Sequence, residues 1–376
     1  MESHVGLGGP SSLVDLVRRF AGADPAVWSG LAHYSVAELP CAELVMDDVG
    51  WSESYAAFRA AREEVEWQTV VAVADRALHR EVLVNPLRAR RVGAAGRGVP
   101  VGAAPLADCR WCDPARSFGV GILSERFGNV VLYTGRAVAG PNHARLAPLS
   151  GLVFGDAAMH DLVTLTVEDI TELFEAAAAY MKAASGMHAA PFWVVIQNGG
   201  PRSASTVDHA HLQVLGRTDR HFGYPAGVAA LTWPRYWQTT AKVHLDLGLA
   251  VDVGGAALAY ANLAPVKERD LTALTNGPLV DGARAVWPLL QSLITAGTTS
   301  WSLAAIVNPR LLGLPVDAYR EWPDVIWRVV DRGDIASRAA DIGAAELYAS
   351  TVVAADPYVV ADLLRSATTA QVRNGR

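Results

Sequence analysis

Five consecutive residues, His209-Ala210-His211-Leu212-Gln213, set two imidazoles and a carboxamide at alternate positions. An extended chain turns alternate side chains to one face. His209, His211 and Gln213 are therefore expected on one surface, with Ala210 and Leu212 toward a core. A neutral imidazole is a competent nucleophile toward phosphorus, and a neighbouring amide steadies non-bridging oxygens without taking up a proton. The same alternation also suits an ordinary pair of strand histidines, so the neighbouring segments decide its meaning. Just upstream runs Asn198-Gly199-Gly200-Pro201-Arg202-Ser203-Ala204-Ser205-Thr206. Its glycines let backbone amides approach a phosphate closely, Ser203, Ser205 and Thr206 add hydroxyls, and Arg202 adds charge. Asn85-Pro86-Leu87-Arg88-Ala89-Arg90-Arg91 is a basic segment suited to phosphate or to solvent. Cys109 and Cys112 form a C-x-x-C pair, which reads as metal or redox chemistry.

These groups need elements to hold them. Residues 192–196 read as a buried strand, 197–205 as a polar turn and 208–215 as a second strand. Before them, Thr166-Val167-Glu168-Asp169 is a helix start, since the threonine can cap and Asp169 can reach back; the helix should run to about residue 184. Short β-branched runs at 67–74, 81–84, 130–133 and 150–154 read as strands, and 93–105 as a loop. From about residue 226 the chain looks like another unit, with strands at 257–263 and 300–307 and helices at 283–296 and from about 357 to 365. Residues 1 to about 66 are mixed, but 52–64 has helical composition, so the stretch reads as a helical extension. The helices are too few for a doubly wound sheet, so the expected class is α+β with antiparallel sheets and flanking helices.

Composition narrows the partners. The 376 residues carry a net charge of −6 with 19% charged side chains, and show no basic domain. Small phosphorylated ligands fit such a chain better than a nucleic acid. No run approaches the ~18 apolar residues of a spanning helix, and the first residues lack a signal-peptide pattern. A cytoplasmic protein without membrane contact is expected. Three cysteines are too few, and odd in number, for a disulfide framework.

Residues 192–215 resemble the active-site strand-turn-strand of galactose-1-phosphate uridylyltransferases of the histidine triad superfamily. Their pattern is an asparagine, a small-residue phosphate loop, then His-Pro-His-Gly-Gln. The resemblance implies that His211 is the nucleophile, that Gln213 stabilises a nucleotidyl-histidine, and that Asn198 and Ser205 support phosphates, beside the Thr206 hydroxyl. It makes Arg88 and Arg91 the site-facing arginines of a Pro-x-Arg-Ala-x-Arg segment. It makes Cys109, Cys112, His160 and His209 a structural zinc site, and Glu346 a sugar contact. It further implies a sheet of two related halves, a catalytic and zinc-binding half at 67–225 and a second half at 226–376, with a homodimer as the family's habit; the N-terminal extension at 1–66 lies outside the resemblance.

The chain also departs from that family. Ala210 and Leu212 replace its proline and glycine, and His-x-His-Leu-Gln is more similar to diadenosine tetraphosphate phosphorylases. Thr134-Gly135-Arg136 stands where a uracil-contacting Asn-Asp pair belongs, and Val352 where a hexose-contacting glutamine belongs. No histidine follows His244, so a second metal site is not expected. The activity implied is transfer of a nucleoside monophosphate from a nucleotide-sugar-type donor to a phosphorylated small molecule through nucleotidyl-His211. A dinucleoside polyphosphate phosphorylase and a non-catalytic zinc-stabilised nucleotide binder are the alternatives. A third histidine in place of Gln213 would be needed for a histidine triad hydrolase.

Overall fold

The computed structural model describes residues 34–41, 43–75, 80–84, 109–113, 132–142, 144–222, 235–254, 256–262, 265–314, 317–333 and 357–374. The expected loop at 93–105 and the first 33 residues lie outside the described residues. Near the N-terminus, β1 (Tyr34–Pro40) is followed by two short helices, α1 (Asp48–Phe58) and α2 (Arg62–Glu66). Asp47 caps α1 by accepting from Val49 and Gly50 N–H groups at 3.0 and 2.9 Å. Strands β2 (Thr69–Asp75) and β3 (Arg80–Val84) join β1 in a three-stranded antiparallel sheet.

The main sheet has ten strands and is built twice by the same rule. In the first half, β4 (Leu132–Thr134), β5 (Ala137–Pro141) and β6 (Leu149–Phe154) precede helix α3 (Val167–His188), and β7 (Phe192–Gly199) and β8 (His211–Arg217) follow it. After α4 (Tyr236–Asp246), the second half repeats the sequence of elements. Its strands β9 (Ala250–Gly254), β10 (Ala257–Ala261) and β11 (Glu268–Thr275) precede helix α5 (Leu279–Thr295), and β12 (Trp301–Val307) and β13 (Val325–Asp331) follow it. The order across the sheet is β4-β5-β6-β8-β7-β12-β13-β11-β10-β9. Read inward from either edge, the two halves have one topology, and they join where β7 pairs with β12 from Gly199↔Trp301 to Trp193↔Val307. Every pairing is antiparallel. A C-terminal helix, α6 (Pro357–Asn374), packs against α5 and β10.

Helix α3 starts as its sequence dictates. Thr166 Oγ1 accepts from the Asp169 N–H at 3.1 Å, and the Asp169 carboxylate accepts from the Thr166 N–H at 2.9 Å. Its buried face, with Ile170, Leu173, Phe174, Ala177, Met181 and Ala184, follows the 3.6-residue period. Trp287 and Gln291 of α5 both donate to the Leu165 carbonyl at 3.1 Å, tying the second half's helix to the start of the first's. Both helices cover one face of the sheet, where Trp193, Val195, Leu212, Val214, Leu303, Ala305, Trp327 and Val329 form one apolar core.

The opposite face carries the other set of side chains. Gln213 pairs with Ile196, Ile196 with Ala304 and Ala304 with Arg328, so one row of residues crosses both halves on that face. Part of it is covered by an aromatic cluster that includes Phe192, Trp237, Tyr260, Tyr319 and Trp322. His221 sits inside this cluster, 2% exposed, stacked on Trp322 with ring centroids 5.4 Å apart. Burial pushes its pKa down to about 3. An unfolded histidine takes a proton near pH 6.5, so the unfolded chain binds that proton first as the pH falls. His221 therefore withdraws stability from about pH 6.5 down toward 3. In denaturant titrations, His221→Phe should lose less stability than the wild type between pH 7 and pH 5; parallel losses would show that the imidazole is not held neutral.

Candidate functional site

Two cysteines and two histidines from three separate segments meet beside the first half. Cys109 and Cys112 bracket a 3₁₀ turn (Arg110–Cys112), in which the Cys112 N–H donates to the Cys109 carbonyl at 3.2 Å. His160 ends a second 3₁₀ turn (Ala157–Met159), capped by Asp156. His209 lies two residues before β8, and the Ala210 N–H donates to the His160 carbonyl at 3.0 Å, clipping the two histidine segments together. The four ligand atoms lie within 4.8 Å of one another. His160 Nδ1 and His209 Nδ1 are 3.3 Å apart, and three of the four sulfur–nitrogen edges are 3.4, 3.6 and 3.7 Å.

Those edges match a tetrahedron around one cation. Bonds of about 2.3 Å to sulfur and about 2.05 Å to nitrogen give edges of ~3.6 Å and ~3.3 Å. The donor chemistry fits as well. His209 Nε2–H donates to the Gly155 carbonyl at 3.0 Å, which turns the Nδ1 lone pair to the cage. Burial holds His209 neutral, with a pKa lowered to about 4. Burial also raises the Cys112 thiol to about 11, helped by its hydrogen bond and charge interaction with Cys109. A cation in the cage would offset that cost by pairing with the thiolates. Phe154 stands edge-on to Trp111, ring centroids 4.9 Å apart, and closes the apolar side of the cage against the His209 ring.

His211 opens β8, three residues later than the strand start expected from the sequence. Its neighbours Ala210, Leu212 and Val214 are fully buried in the helix-covered core, so His211 and Gln213 face the other way. His211 Nδ1 lies 2.8 Å from the His209 carbonyl. A carbonyl only accepts, so Nδ1 carries the proton and Nε2 the lone pair. Gln213 Oε1 is buried without a hydrogen-bond partner, a group held ready for a donor. On β7, Asn198 lies two residues from Ile196, the partner of Gln213, and shares this face. The site is thus a row of His211, Gln213 and Asn198 on adjacent strands, with His209 set back into the cage rather than displayed beside them.

The turn after Asn198 is tight. Gly200 has φ +79°, and a Cβ there would lie 2.1 Å from the Thr299 carbonyl, so no larger residue fits. Ser203 is fully buried and donates to the Gly200 carbonyl at 2.7 Å. Ser205 donates to the Val207 carbonyl at 2.7 Å, which spends its hydroxyl hydrogen inside the turn. Thr206 is exposed. The Arg202 N–H donates to Ser300 Oγ at 3.1 Å, anchoring the turn to the second half. Arg88, Arg91, Glu346 and Val352 lie outside the described residues.

Sequence reasoning passed over two residues of the second half that reach this row. Ser302 hydrogen-bonds Asn198 and Arg332 hydrogen-bonds Ser302; a serine in an apolar strand and an arginine after it carry no local signal. The turn at Thr134-Gly135-Arg136 has a structural job. Arg136 binds Glu172 through its backbone N–H at 2.7 Å and pairs with Asp169 and Glu172 of α3 at 2.5 and 3.0 Å. In the second half, the open-face residues of β13 are Ile326, Arg328 and Val330, with no histidine among them.

No protein-family model and no curated protein matches the sequence. Among solved structures, the chain is similar to an ADP-glucose phosphorylase from Arabidopsis thaliana with bound ADP-glucose. The TM-score is 0.51 and the identity 13%, over 77% of this chain and 97% of that one. It is also similar to a uridylyltransferase mutant, with a TM-score of 0.50 and 14% identity over 62% of this chain and 89% of that one. The chain accordingly shares the fold of these two proteins, an α+β fold with an antiparallel sheet and flanking helices. Elemental analysis of purified protein should find about one metal ion per chain, and Cys112→Ser should lose it with a lowered thermal midpoint. Equal metal content in both proteins would rule out the cage as the binding site.

Proposed function

We propose that this chain is a nucleotidyltransferase in which His211 Nε2 attacks the α-phosphorus of a nucleoside diphosphate sugar or similar donor. The observation that carries this reading is the hydrogen bond from His211 Nδ1 to the His209 carbonyl, which leaves the nucleophilic lone pair on Nε2. A nitrogen–phosphorus bond forms, the bond from phosphorus to the bridging oxygen breaks, and the sugar phosphate leaves with that electron pair. An oxygen of an acceptor phosphate then attacks the same phosphorus, and Nε2 recovers its lone pair. Negative charge grows on the non-bridging oxygens in both steps. The Asn198 and Gln213 amides face that position, with Arg88 and Arg91 proposed to add charge. Glutamine relays no proton, so neither step asks one of it; Ser205 and Thr206 border the phosphates and Glu346 the sugar.

Zinc is the ion proposed for the Cys109, Cys112, His160 and His209 cage. These four residues would hold it with protein ligands alone, so it would supply structure, keeping the His209 backbone in place beside His211. A phosphorylase, with inorganic phosphate as acceptor, is the second reading. His-x-His-Leu-Gln in place of His-Pro-His-Gly-Gln favours it, as does the similarity to the plant ADP-glucose phosphorylase.

The test is to mix the protein with nucleoside diphosphate sugars, nucleoside triphosphates and dinucleoside polyphosphates, without acceptor, and to quench in alkali. Intact mass should show a nucleotidyl adduct on the wild type and none on His211→Ala, the added mass naming the base. Gln213→Ala should slow adduct formation by ~10²-fold. No adduct from any donor on folded, metal-loaded protein would overturn the transferase reading.

A further inference from the structure

We propose that Ser302 and Arg332, both from the second half, are positioning residues that fix the orientation of the Asn198 amide and so complete a site whose nucleophile belongs to the first half. The proposal rests on the reading of Asn198 as a donor to the nucleotide phosphate. Asn198 and Ser302 are direct partners across the β7·β12 joint. Ser302 Oγ–H donates to Asn198 Oδ1 at 3.0 Å, and Arg332 Nη1–H donates to Ser302 Oγ at 3.2 Å. Arg332 is itself held where the strands end, its backbone N–H donating to the Ser300 carbonyl at 2.8 Å.

The direction of this chain of bonds follows from what each group can do. A guanidinium only donates, so Ser302 Oγ must accept from Arg332. Serine has one hydroxyl hydrogen, which is then directed to Asn198, and the atom receiving it is the carbonyl oxygen. An asparagine amide has nearly equal shape either way round, and here its neighbours choose. With Oδ1 committed toward β12, Nδ2 is turned toward β8, the strand on the other side of β7, where His211 and Gln213 stand. In that orientation the amide offers N–H groups to a phosphoryl oxygen. Reversed, it would offer a carbonyl dipole to a group of the same sign. The charged donor at the head of the chain polarises the serine hydroxyl and strengthens the second bond. The arrangement also gives the second half a task at this site, although it has no histidine motif of its own.

Two measurements on the full-length, metal-loaded protein test this. The first compares Ser302→Ala, Ser302→Thr, Asn198→Ala and the Ser302→Ala/Asn198→Ala double variant, with whichever donor forms the adduct. Loss of one orienting hydrogen bond should lower kcat about tenfold for Ser302→Ala with KM changed less than about twofold. Ser302→Thr, which keeps the hydroxyl, should restore most of kcat. The double variant should be no slower than Asn198→Ala alone, because Ser302 acts only through Asn198. The second needs no substrate: in protein labelled with [¹⁵N]asparagine, the Asn198 side-chain amide signals, identified by their absence in Asn198→Ala, should move in Ser302→Ala and hold in Ser302→Thr. Unmoved amide signals in Ser302→Ala would overturn the proposal, as would a double variant with the product of the two single losses. The amide signals decide the matter even where no donor yields an adduct, so failure of the transferase reading and failure of this one are told apart.

Discussion

The site hangs on one backbone carbonyl. His209 gives its ring to the cage and its carbonyl to His211 Nδ1, 2.8 Å away. The first commitment fixes where the His209 peptide lies; the second fixes which nitrogen of His211 is bare. A histidine free to choose its tautomer would present the reactive lone pair only part of the time. Here the choice is made by a carbonyl that the His209 ring's bond to the Gly155 carbonyl and the Ala210–His160 backbone bond together hold still. Each residue of the His-Ala-His-Leu-Gln run then has a separate duty: cage, core, proposed nucleophile, core and amide.

The doubled sheet supplies the remaining constraint. Helices α3 and α5 cover one face with a continuous apolar core, which forces the alternate residues of β7, β8, β12 and β13 onto the other. That face needs little cover to stay polar where His211, Gln213, Asn198 and Ser302 align. The two halves differ in what they contribute. The first keeps the histidines, the cage and the turn, whereas the second fills much of its open face with Trp237, Tyr319 and Trp322 and contributes polar groups at the joint.

Much of this was legible in the sequence because local signals agreed with the fold. The Thr166/Asp169 capping box, the apolar run opening at Phe192 and the polar–apolar alternation from His211 each specify an element whatever surrounds it. The proposed metal ligands came from resemblance, since nothing local links Cys109 to His160 across the intervening chain, yet the four side chains converge. What stayed hidden was carried by long-range contacts. Strand β11 opens with Glu268, Arg269 and Asp270, a charged run that reads as a loop until Arg328 from β13 is seen to pair with buried Asp270 at 2.6 Å. The extra strands β5 and β9 are short and rich in small residues, with no periodic pattern to announce them. Ser302 and Arg332 are ordinary residue types whose meaning arises only from the partner strand. His209 was expected on the strand face beside His211; the cage draws it back, and β8 begins three residues later than expected.

The most direct test of the central claim is to find which atom holds phosphorus. Protein labelled with [¹⁵N]histidine, loaded with the donor and held at alkaline pH without acceptor, can be read by ³¹P and ¹⁵N spectroscopy. The tautomer fixed by the His209 carbonyl predicts a phosphorus–nitrogen coupling to Nε2 of His211, with the Nδ1 proton still present and hydrogen-bonded. Coupling to Nδ1, or an adduct whose phosphorus couples to no histidine nitrogen, would contradict it.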